Sequence, residues 1–362
     1  MENIRHIIAP KILGLDARDQ AKIDRLLIEL DGTPNKAKLG ANAILGVSVA
    51  LARAAADTAG SRLYKTVADG RKPMLPMAMM NIINGGKHAG NDLAFQEFMI
   101  MPAGFKTFRD ALRCGSEIYQ ALRARLESQY GKSAINVGDE GGFAPSIKSV
   151  EEALGQINDA VEEVGYSPGQ NALLGIDPAA DSFYDQTSGK YLVDGKRLDA
   201  NELLDLYSDL AERFPLRSIE DPFHDEDFEN FSKITAKLGP RVQIVGDDLF
   251  VTNIKRVEKG IRLKAANSLL VKINQIGTLT ETIEAVERAR KASFGLVMSH
   301  RSGETEDTSI ADLSVGLTTG QIKTGALARS ERTAKYNRLL QIEEELGKAA
   351  SYYGPEFLKI HQ

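Results

Sequence analysis

The sequence predicts an α/β protein whose larger part is a closed barrel of alternating strands and helices. From about residue 71, short apolar runs alternate with amphipathic helical stretches, and a polar residue follows each of six apolar runs. Repeated strand–helix alternation indicates a parallel sheet. When such a sheet closes into a barrel, the polar groups at its strand ends meet at one mouth. The preceding residues, 1–70, are predicted to be helical throughout.

The first 70 residues lack strand signals and form the smaller predicted unit. Residues 16–30 carry apolar side chains at helical spacing. Residues 41–56 are rich in alanine, and their apolar stripe comprises Ile44, Val47 and Leu51. We therefore divide the chain into a helical unit at residues 1–70 and a barrel at residues 71–362.

Six residues directly follow apolar runs and define the predicted strand ends. They are Asp177, Glu220, Asp247, Lys272, His300 and Lys323. The intervals between them are 43, 27, 25, 28 and 23 residues, and one strand–helix unit needs roughly 25–30 residues or more. Helix starts are predicted in the same region, with Ser149, Asp199 and Thr278 as N-caps. An open, doubly wound sheet is the alternative, but the Gly-x-Gly-x-x-Gly turn expected after its first strand does not occur.

Composition and charge limit the classes of function. Hydrophobic residues make up 43% of the 362 residues, and the formal net charge of −5 argues against a dedicated nucleic-acid surface. No apolar run approaches membrane-spanning length, and no signal-peptide segment is visible. The single cysteine, Cys114, excludes an intrachain disulfide and is predicted to be a buried thiol. We expect a reducing, cytoplasmic compartment.

The three acidic strand ends predict a metal site. Asp177, Glu220 and Asp247 come at successive predicted strand ends, so their carboxylates would meet and repel one another in the barrel mouth. A hard divalent cation relieves this repulsion, and an all-oxygen ligand set favours Mg²⁺. The alternative, for each acid taken alone, is a capping role after a strand.

The two basic strand ends predict either a catalytic base or an ion pair. A bound cation lowers the pKa of a neighbouring lysine, so that Lys272 or Lys323 can act as a general base near neutral pH. The alternative is that each lysine is simply paired with the neighbouring acids. The residues alone leave both interpretations open.

Seven motifs occur in the order typical of one enzyme family. They are HAGNDLAFQEFM (residues 88–99), VGDEGGFAP (137–145), SIEDP (218–222), GDDL (246–249), LVKINQIG (270–277), SHRSGETED (299–307) and QIKTGA (321–326). Through them the chain resembles the enolases from about residue 7 to residue 347. The SHRSGE run separates this family from other members of the wider enolase superfamily.

The resemblance implies an enolase-type (β/α)8 barrel preceded by a small α+β domain. It implies the reversible dehydration of 2-phospho-D-glycerate to phosphoenolpyruvate in glycolysis and gluconeogenesis, a homodimer or higher homo-oligomer, and a cytoplasmic location. Family members are also found at the cell surface or secreted without a signal peptide. The implied ligands of a catalytic Mg²⁺ are Asp177, Glu220 and Asp247.

The resemblance also implies a role for each further site residue. Lys272 is the implied base that removes the C2 proton, since a lysine base acting with Mg²⁺ is typical of the superfamily. Glu140 is the implied acid that helps the C3 hydroxyl leave, assisted by Glu97, and His88 joins this catalytic group. Lys323 pairs with the substrate carboxylate. The other implied substrate-binding residues are Gln96, His300, Arg301 and Ser302, of which the last two bind the phosphate.

One departure from the family concerns the front of the chain. Family members begin with a strand-rich segment that carries a mobile Ser-Gly-Ala-Ser-Thr-Gly loop. Its serine helps bind a second Mg²⁺ and closes over the substrate, but this motif does not occur here. We therefore expect a truncated, mostly helical small domain, a weakened second metal site and reduced activity. We also expect the apolar stripe of Ile44, Val47 and Leu51 to be exposed.

Two other functions compete with an active enolase. One is a different superfamily lyase or racemase that acts on a non-phosphorylated acid, and Arg301 and Ser302 argue against it. The other is a truncated homologue that serves as a binding protein. Intact catalytic residues make selection for binding alone the less economical explanation.

Overall fold

The computed structural model of the chain describes residues 1–86 and 89–361, and a closed β-barrel forms its larger part. The strands of this described part are β1 (Met77–Asn84), β2 (Glu97–Met101), β3 (Leu173–Asp177), β4 (Tyr184–Asp185), β5 (Lys190–Val193), β6 (Lys196–Leu198), β7 (Leu216–Glu220), β8 (Gln243–Gly246), β9 (Ser268–Val271), β10 (Gly295–Ser299) and β11 (Gly320–Lys323). Eight of them close into a barrel in the order β1-β11-β10-β9-β8-β7-β3-β2, and β4, β5 and β6 form a separate small sheet. The predicted α/β barrel is therefore confirmed.

One strand departs from the parallel sheet that the sequence predicts. The strands that carry the six predicted ends (β3 and β7 to β11) pair in parallel, but β2 runs antiparallel to both of its neighbours, β1 and β3. Its connection to β1, residues 85–96, is short, whereas a parallel return usually needs a longer crossover that contains a helix. The sequence prediction includes neither β1 nor β2. Every residue of both strands is buried, so neither shows the alternating pattern of a half-exposed strand.

Helices connect the strands and precede the barrel. Within the described ranges they are α1 (Ala9–Ile12), α2 (Gln20–Asp31), α3 (Ala41–Thr58), α4 (Leu63–Ala68), α5 (Phe108–Tyr130), α6 (Val150–Glu163), α7 (Ala200–Arg213), α8 (Phe228–Leu238), α9 (Ile254–Leu263), α10 (Ile273–Ile276), α11 (Leu279–Lys291), α12 (Ser309–Gly316), α13 (Ser330–Leu346) and α14 (Gly354–Ile360). The three predicted N-caps are confirmed: the side chains of Ser149, Asp199 and Thr278 each accept a hydrogen bond from a backbone N–H in the first turn of α6, α7 and α11.

The N-terminal helices form a small core of their own. No strand occurs in residues 1–70, all of which are described, so the predicted helical character of this segment is confirmed. The buried apolar residues of the small core are Ile8, Ile23, Leu27, Leu39, Ile44 and Val47. The predicted exposure of the α3 stripe is wrong, since Ile44 is 0% and Val47 8% exposed. Leu51 is partly buried against the same core, because α2 and the first helical residues of the chain cover this face of α3.

Polar contacts join these helices to the barrel beside β9. Asp24 on α2 is buried and accepts hydrogen bonds from Thr280 N (3.0 Å) and Thr280 Oγ1 (2.6 Å). Ser48 on α3 accepts one from Leu279 N (3.0 Å). The first turn of α11, which follows β9 and α10, is thus held by the N-terminal helices.

Two smaller predictions can also be compared with the structure. Cys114 on α5 is a free, buried thiol, as the sequence predicts. Of the helices in the described ranges, none combines the length and the apolar composition that crossing a bilayer requires.

Candidate active site

The carboxyl ends of the barrel strands surround a cavity of about 200 Å³. Ten of the twelve predicted site residues line it: Gln96, Glu97, Glu140, Asp177, Asp247, Lys272, His300, Arg301, Ser302 and Lys323. Glu220 is fully buried next to Lys323, and His88 lies outside the described residues. The strand ends therefore meet at one mouth, and the roles of these side chains stay predictions.

Lys323, at the end of β11, is the centre of a buried ion-pair cluster. Its Nζ lies 2.8 Å from Glu220 Oε2, 3.0 Å from Asp177 Oδ2 and 3.2 Å from Glu97 Oε1. Burial alone would lower the pKa of Lys323, but these three carboxylates raise it well above its ordinary value. Lys323 therefore remains a charged ammonium that can pair with an anion entering the cavity.

Acidic groups outnumber basic groups in and beside the cavity. The basic groups are Lys272, Arg301 and Lys323, and the carboxyl groups are Glu97, Glu140, Asp177, Asp181, Glu220, Asp221, Asp247 and Asp248. Burial and the neighbouring carboxylates raise the pKa values of Glu97 and Glu220 well above their usual range, although Lys323 opposes the shift. Such a site favours uptake of protons or of a cation. Oxygen donors suit a hard divalent cation, so the donor set fits the predicted Mg²⁺.

Lys272, directly after β9, forms an ion pair with Asp247, directly after β8. Gln275 Nε2 donates a further hydrogen bond to Asp247 Oδ1 (3.2 Å). Burial would lower the pKa of Lys272, but Asp247 and Glu220 raise it. Conversely, burial would raise the pKa of Asp247, but the Lys272 ammonium lowers it. Lys272 is thus paired with a neighbouring acid, which was the alternative that the sequence left open for this residue.

An acidic turn shapes the part of the cavity that carries Asp247. The carboxylates there that lie close enough together to share a cation are Asp221, Asp247 and Asp248. Asp221 Oδ1 accepts a hydrogen bond from Asp247 N (3.0 Å) and its Oδ2 accepts one from Asp248 N (2.7 Å). Burial and the charge of Asp247 raise the pKa of Asp248 to about 6. The two other predicted ligands, Asp177 and Glu220, meet Lys323 Nζ instead.

Glu140 lies on a loop between α5 and α6, next to the side chains of Asn81 and His300. Asn81 Nδ2, on β1, donates to Glu140 Oε2 (3.0 Å), and His300 Nε2 lies 3.3 Å from the same oxygen. His300 is almost fully buried, and this burial lowers its pKa from 6.5 to about 4. The imidazole is therefore neutral at pH 7.

The predicted phosphate-binding residues lie at the exposed rim of the cavity. Arg301 and Ser302 are both exposed, and Arg301 Nη1 donates to Asn274 Oδ1 (3.2 Å). Gln96 is half-buried, and its backbone N–H donates to Asp177 O (3.1 Å). An anion that enters the cavity therefore meets the Arg301 guanidinium at the rim and the Lys323 ammonium inside.

Several residues that shape the site are absent from the sequence prediction. They are Asn81, Asp221, Asp248, Gln275 and Arg332. Asp221 and Asp248 directly follow the predicted ligands Glu220 and Asp247, so a paired-acid signal was present in the sequence. Asn81 lies inside a fully buried strand, and Arg332 lies on a helix, where an arginine is usually exposed. No local pattern marks either of them.

Comparison with known proteins identifies the family. A family model described as "Enolase, N-terminal domain" matches residues 1–67, and one described as "Enolase, C-terminal TIM barrel domain" matches residues 72–361. An enolase of Thermococcus gammatolerans is 57% identical over 357 residues, which are 99% of this chain and 83% of the relative. An enolase of Pyrococcus furiosus is 56% identical over 360 residues, 99% of this chain and 84% of the relative.

A third relative, an enolase of Methanopyrus kandleri, is 57% identical over 355 residues, which are 98% of this chain and 83% of the relative. The similarity thus extends through both the N-terminal helices and the barrel. Together with the closed barrel and its acidic, lysine-containing mouth, these matches show that the chain belongs to the enolase family.

Proposed function

We propose that this chain catalyses the enolase reaction, the reversible dehydration of 2-phospho-D-glycerate to phosphoenolpyruvate in glycolysis and gluconeogenesis. The chain is thus a carbon–oxygen lyase. The observation that carries this conclusion is its 56–57% identity to curated enolases over 98–99% of its length. The acids and lysines that converge in the barrel mouth supply the groups that such a reaction requires.

Lys272 is the proposed base. Its neutral amine takes the C2 proton, and the electron pair of that C–H bond moves toward the substrate carboxylate, which becomes an enolate. The ion pair with Asp247 favours the protonated form of Lys272. Lys272 therefore acts as a base only when another positive charge pairs with Asp247. The Lys323 ammonium pairs with the substrate carboxylate and stabilises the charge that develops there.

Glu140, assisted by Glu97, is the proposed acid. It gives a proton to the C3 hydroxyl, which leaves as water while the C2–C3 double bond forms. Burial and the charge of Glu140 raise the pKa of Glu97, which supports a shared proton on this pair at neutral pH. The Asn81 amide orients the Glu140 carboxyl group, and His300 Nε2 lies 3.3 Å from the same oxygen.

The proposed cofactor is Mg²⁺, with Asp177, Glu220 and Asp247 as its protein ligands. When bound, Mg²⁺ supplies positive charge to the substrate carboxylate. The excess of buried carboxylates around Lys323 and Lys272 supports this assignment. The proposed phosphate-binding residues are Arg301 and Ser302, and the others that face the substrate are Gln96, His300 and His88.

The assembly and location of the chain are also proposals. The family resemblance favours a homodimer or a higher homo-oligomer in the cytoplasm, with residues 1–70 and 71–362 as its two domains. Sedimentation velocity of the purified chain tests the assembly, because a monomer at every protein concentration contradicts it.

A substrate panel tests the function. The purified chain, with Mg²⁺, is offered 2-phospho-D-glycerate and a set of sugar acids without phosphate, and product formation is followed by ultraviolet absorbance. We expect turnover of 2-phospho-D-glycerate alone, abolished by a chelator and restored by Mg²⁺. Turnover of the sugar acids instead indicates another superfamily lyase, and turnover of none of them indicates a binding protein. Either result contradicts the proposal.

A further inference from the structure

Arg332 is a fully buried arginine that the reaction scheme above does not use. It lies in the first turn of α13 and is 0% exposed. An arginine side chain is rarely buried completely, because its guanidinium loses hydration unless polar groups replace the water. The identity of its partners therefore indicates what the residue does.

The Arg332 guanidinium joins two loops of the active site. Nη1 lies 2.5 Å from His300 Nδ1 and donates to Arg301 O (2.7 Å). Nη2 donates to Ser302 O (2.6 Å) and to Asp139 O (3.0 Å). One side chain thus contacts the three residues after β10 and the residue before Glu140.

The contact with His300 determines where the imidazole carries its proton. A guanidinium can only donate hydrogen bonds, so His300 Nδ1 must accept. A neutral imidazole with an accepting Nδ1 carries its proton on Nε2. That nitrogen lies 3.3 Å from Glu140 Oε2 but makes no hydrogen bond of good geometry within the described part of the chain, so the ring holds an N–H beside the proposed acid. Burial lowers the pKa of His300 to about 4, which keeps the ring in this neutral form.

Close packing fixes the loop segments around the same guanidinium. Gly325, with a φ of +84°, lies so near that a Cβ there would approach Arg332 Cδ to 2.8 Å and Glu140 O to 2.7 Å. Ala326 N also donates to Glu140 O (2.8 Å). The Glu140 loop, the turn after β11 and the start of α13 therefore share one packed arrangement.

We propose that Arg332 is a positioning residue that sets the tautomer of His300 and thereby places the Nε2 proton of His300 beside the Glu140 carboxyl group. This inference rests on the proposed function, because Glu140 acts there as the acid. By holding the carbonyl groups of Arg301 and Ser302, Arg332 also fixes the segment whose side chains face the phosphate. Arg332 is fully buried and does not line the cavity, so its effect on catalysis is indirect.

The tautomer is tested without any enzymatic assay. Histidine side chains of the substrate-free protein are labelled with ¹⁵N, and the His300 resonances are assigned with His300→Gln. We expect the proton on Nε2 in the wild type. In Arg332→Met we expect a mixture of tautomers and a higher His300 pKa, because the Arg332 charge lowers that pKa in the wild type. A proton on Nδ1 in the wild type overturns the proposal even if the chain is an active enolase.

Kinetics test the consequence for the reaction. We expect Arg332→Met to lower kcat by about 10–100-fold, by analogy with residues that orient the ligands of a metal, and to change KM less. We expect Arg332→Lys to recover part of kcat, since an ammonium can still donate to some of the carbonyl groups. If Arg332→Met does not fold, Arg332→Lys alone decides the outcome. Compared with the wild type, this variant must show both altered His300 tautomer populations and a lower kcat, and a wild-type result for either contradicts the proposal.

Arg338→Lys is the matched control. Arg338 lies on the same helix and donates two hydrogen bonds to Asp312 (2.8 and 2.9 Å), outside the active site. We expect this variant to be less stable while its His300 tautomer and kcat stay at wild-type values. If Arg332→Lys and Arg338→Lys change kcat and the His300 tautomer equally, Arg332 has only a structural role. If the wild type has the expected His300 tautomer but shows no enolase activity, the result contradicts only the proposed function.

Discussion

The ammonium of Lys272 and the carboxylate of Asp247 form a direct ion pair between the ends of β9 and β8. The proposed base and one proposed metal ligand therefore neutralise each other. Because Asp247 raises the pKa of Lys272, any positive charge placed on Asp247 lowers that pKa again. Deprotonation of the proposed base and cation binding at the proposed metal site are thus linked through the Asp247 carboxylate.

Lys272→Ala is expected to abolish exchange of the substrate C2 proton with solvent. Loss of a general base typically costs about 10²–10⁴-fold, and Lys323, which is held by three carboxylates, does not replace it. The measurement is C2 proton exchange by NMR, with Lys259→Ala as the control. Lys259 is a half-exposed lysine 4.0 Å from Glu226. Exchange at the wild-type rate in Lys272→Ala contradicts the assignment.

Glu140→Gln is expected to separate the two halves of the reaction. The amide keeps the shape of the side chain and an oxygen that accepts from Asn81, but it cannot give a proton to the C3 hydroxyl. We expect C2 exchange to persist while formation of phosphoenolpyruvate falls by about 10²–10⁴-fold. If exchange and product formation fall together, Glu140 has no separate role in the elimination step.

Alanine substitution of Asp177, Glu220 or Asp247 is expected to weaken Mg²⁺ binding in calorimetric titrations. Ligands of one ion act as a unit, so a double variant should lose much less affinity than the two single losses together. Asp181→Ala is the control, because Asp181 lines the same cavity without being a proposed ligand. Additive losses would place the three acids in separate sites.

The strand ends of the barrel were predictable because each combines an apolar run with a polar residue at its end. Asp177, Glu220 and Lys323 end β3, β7 and β11 in the structure. The local sequence carries this signal, because a buried parallel strand is apolar until it reaches the mouth. β1 and β2 lack it, because β1 carries the polar Asn81 inside its apolar run and the antiparallel β2 has its acidic residue, Glu97, at its start.

The contacts of Arg332 and Asp24 were not predictable, because both depend on partners far away in the sequence. Arg332 meets His300 and the carbonyl groups of two separate loops. Asp24 accepts hydrogen bonds from Thr280. A charged residue in a helical pattern predicts an exposed face, and only the tertiary arrangement shows that these two positions face inward.

The pH dependence of stability is expected to include a clear contribution from His300. Its pKa falls from 6.5 to about 4 on folding, so between these pH values the unfolded chain binds a proton that the folded chain does not. The folded state is therefore favoured above pH 6.5 and loses up to about 3 kcal/mol as the pH falls toward 4.

Urea unfolding of the wild type and of His300→Gln at pH 7 and pH 5 measures this contribution. Glu97 and Glu220 have raised pKa values and contribute with the opposite sign, but they are present in both proteins and cancel in the difference. We expect the variant to lose less stability than the wild type over this interval. His6→Gln, which changes a side chain that is 70% exposed, is expected to behave like the wild type. Equal losses in all three proteins contradict the assignment.

Asp24→Ala is expected to loosen the junction between the N-terminal helices and α11. It leaves the N–H and the hydroxyl of Thr280 without their acceptor, and an unsatisfied buried donor costs about 1–3 kcal/mol. The free energy of unfolding should fall by this amount, and amide hydrogen exchange should quicken first at Leu279 and Thr280. Asp57→Ala, an exposed change on α3, controls for the loss of a carboxylate. α11 follows the segment that carries Lys272. If amide hydrogen exchange at α11 is equal in Asp24→Ala and Asp57→Ala, the N-terminal helices do not support this side of the active site.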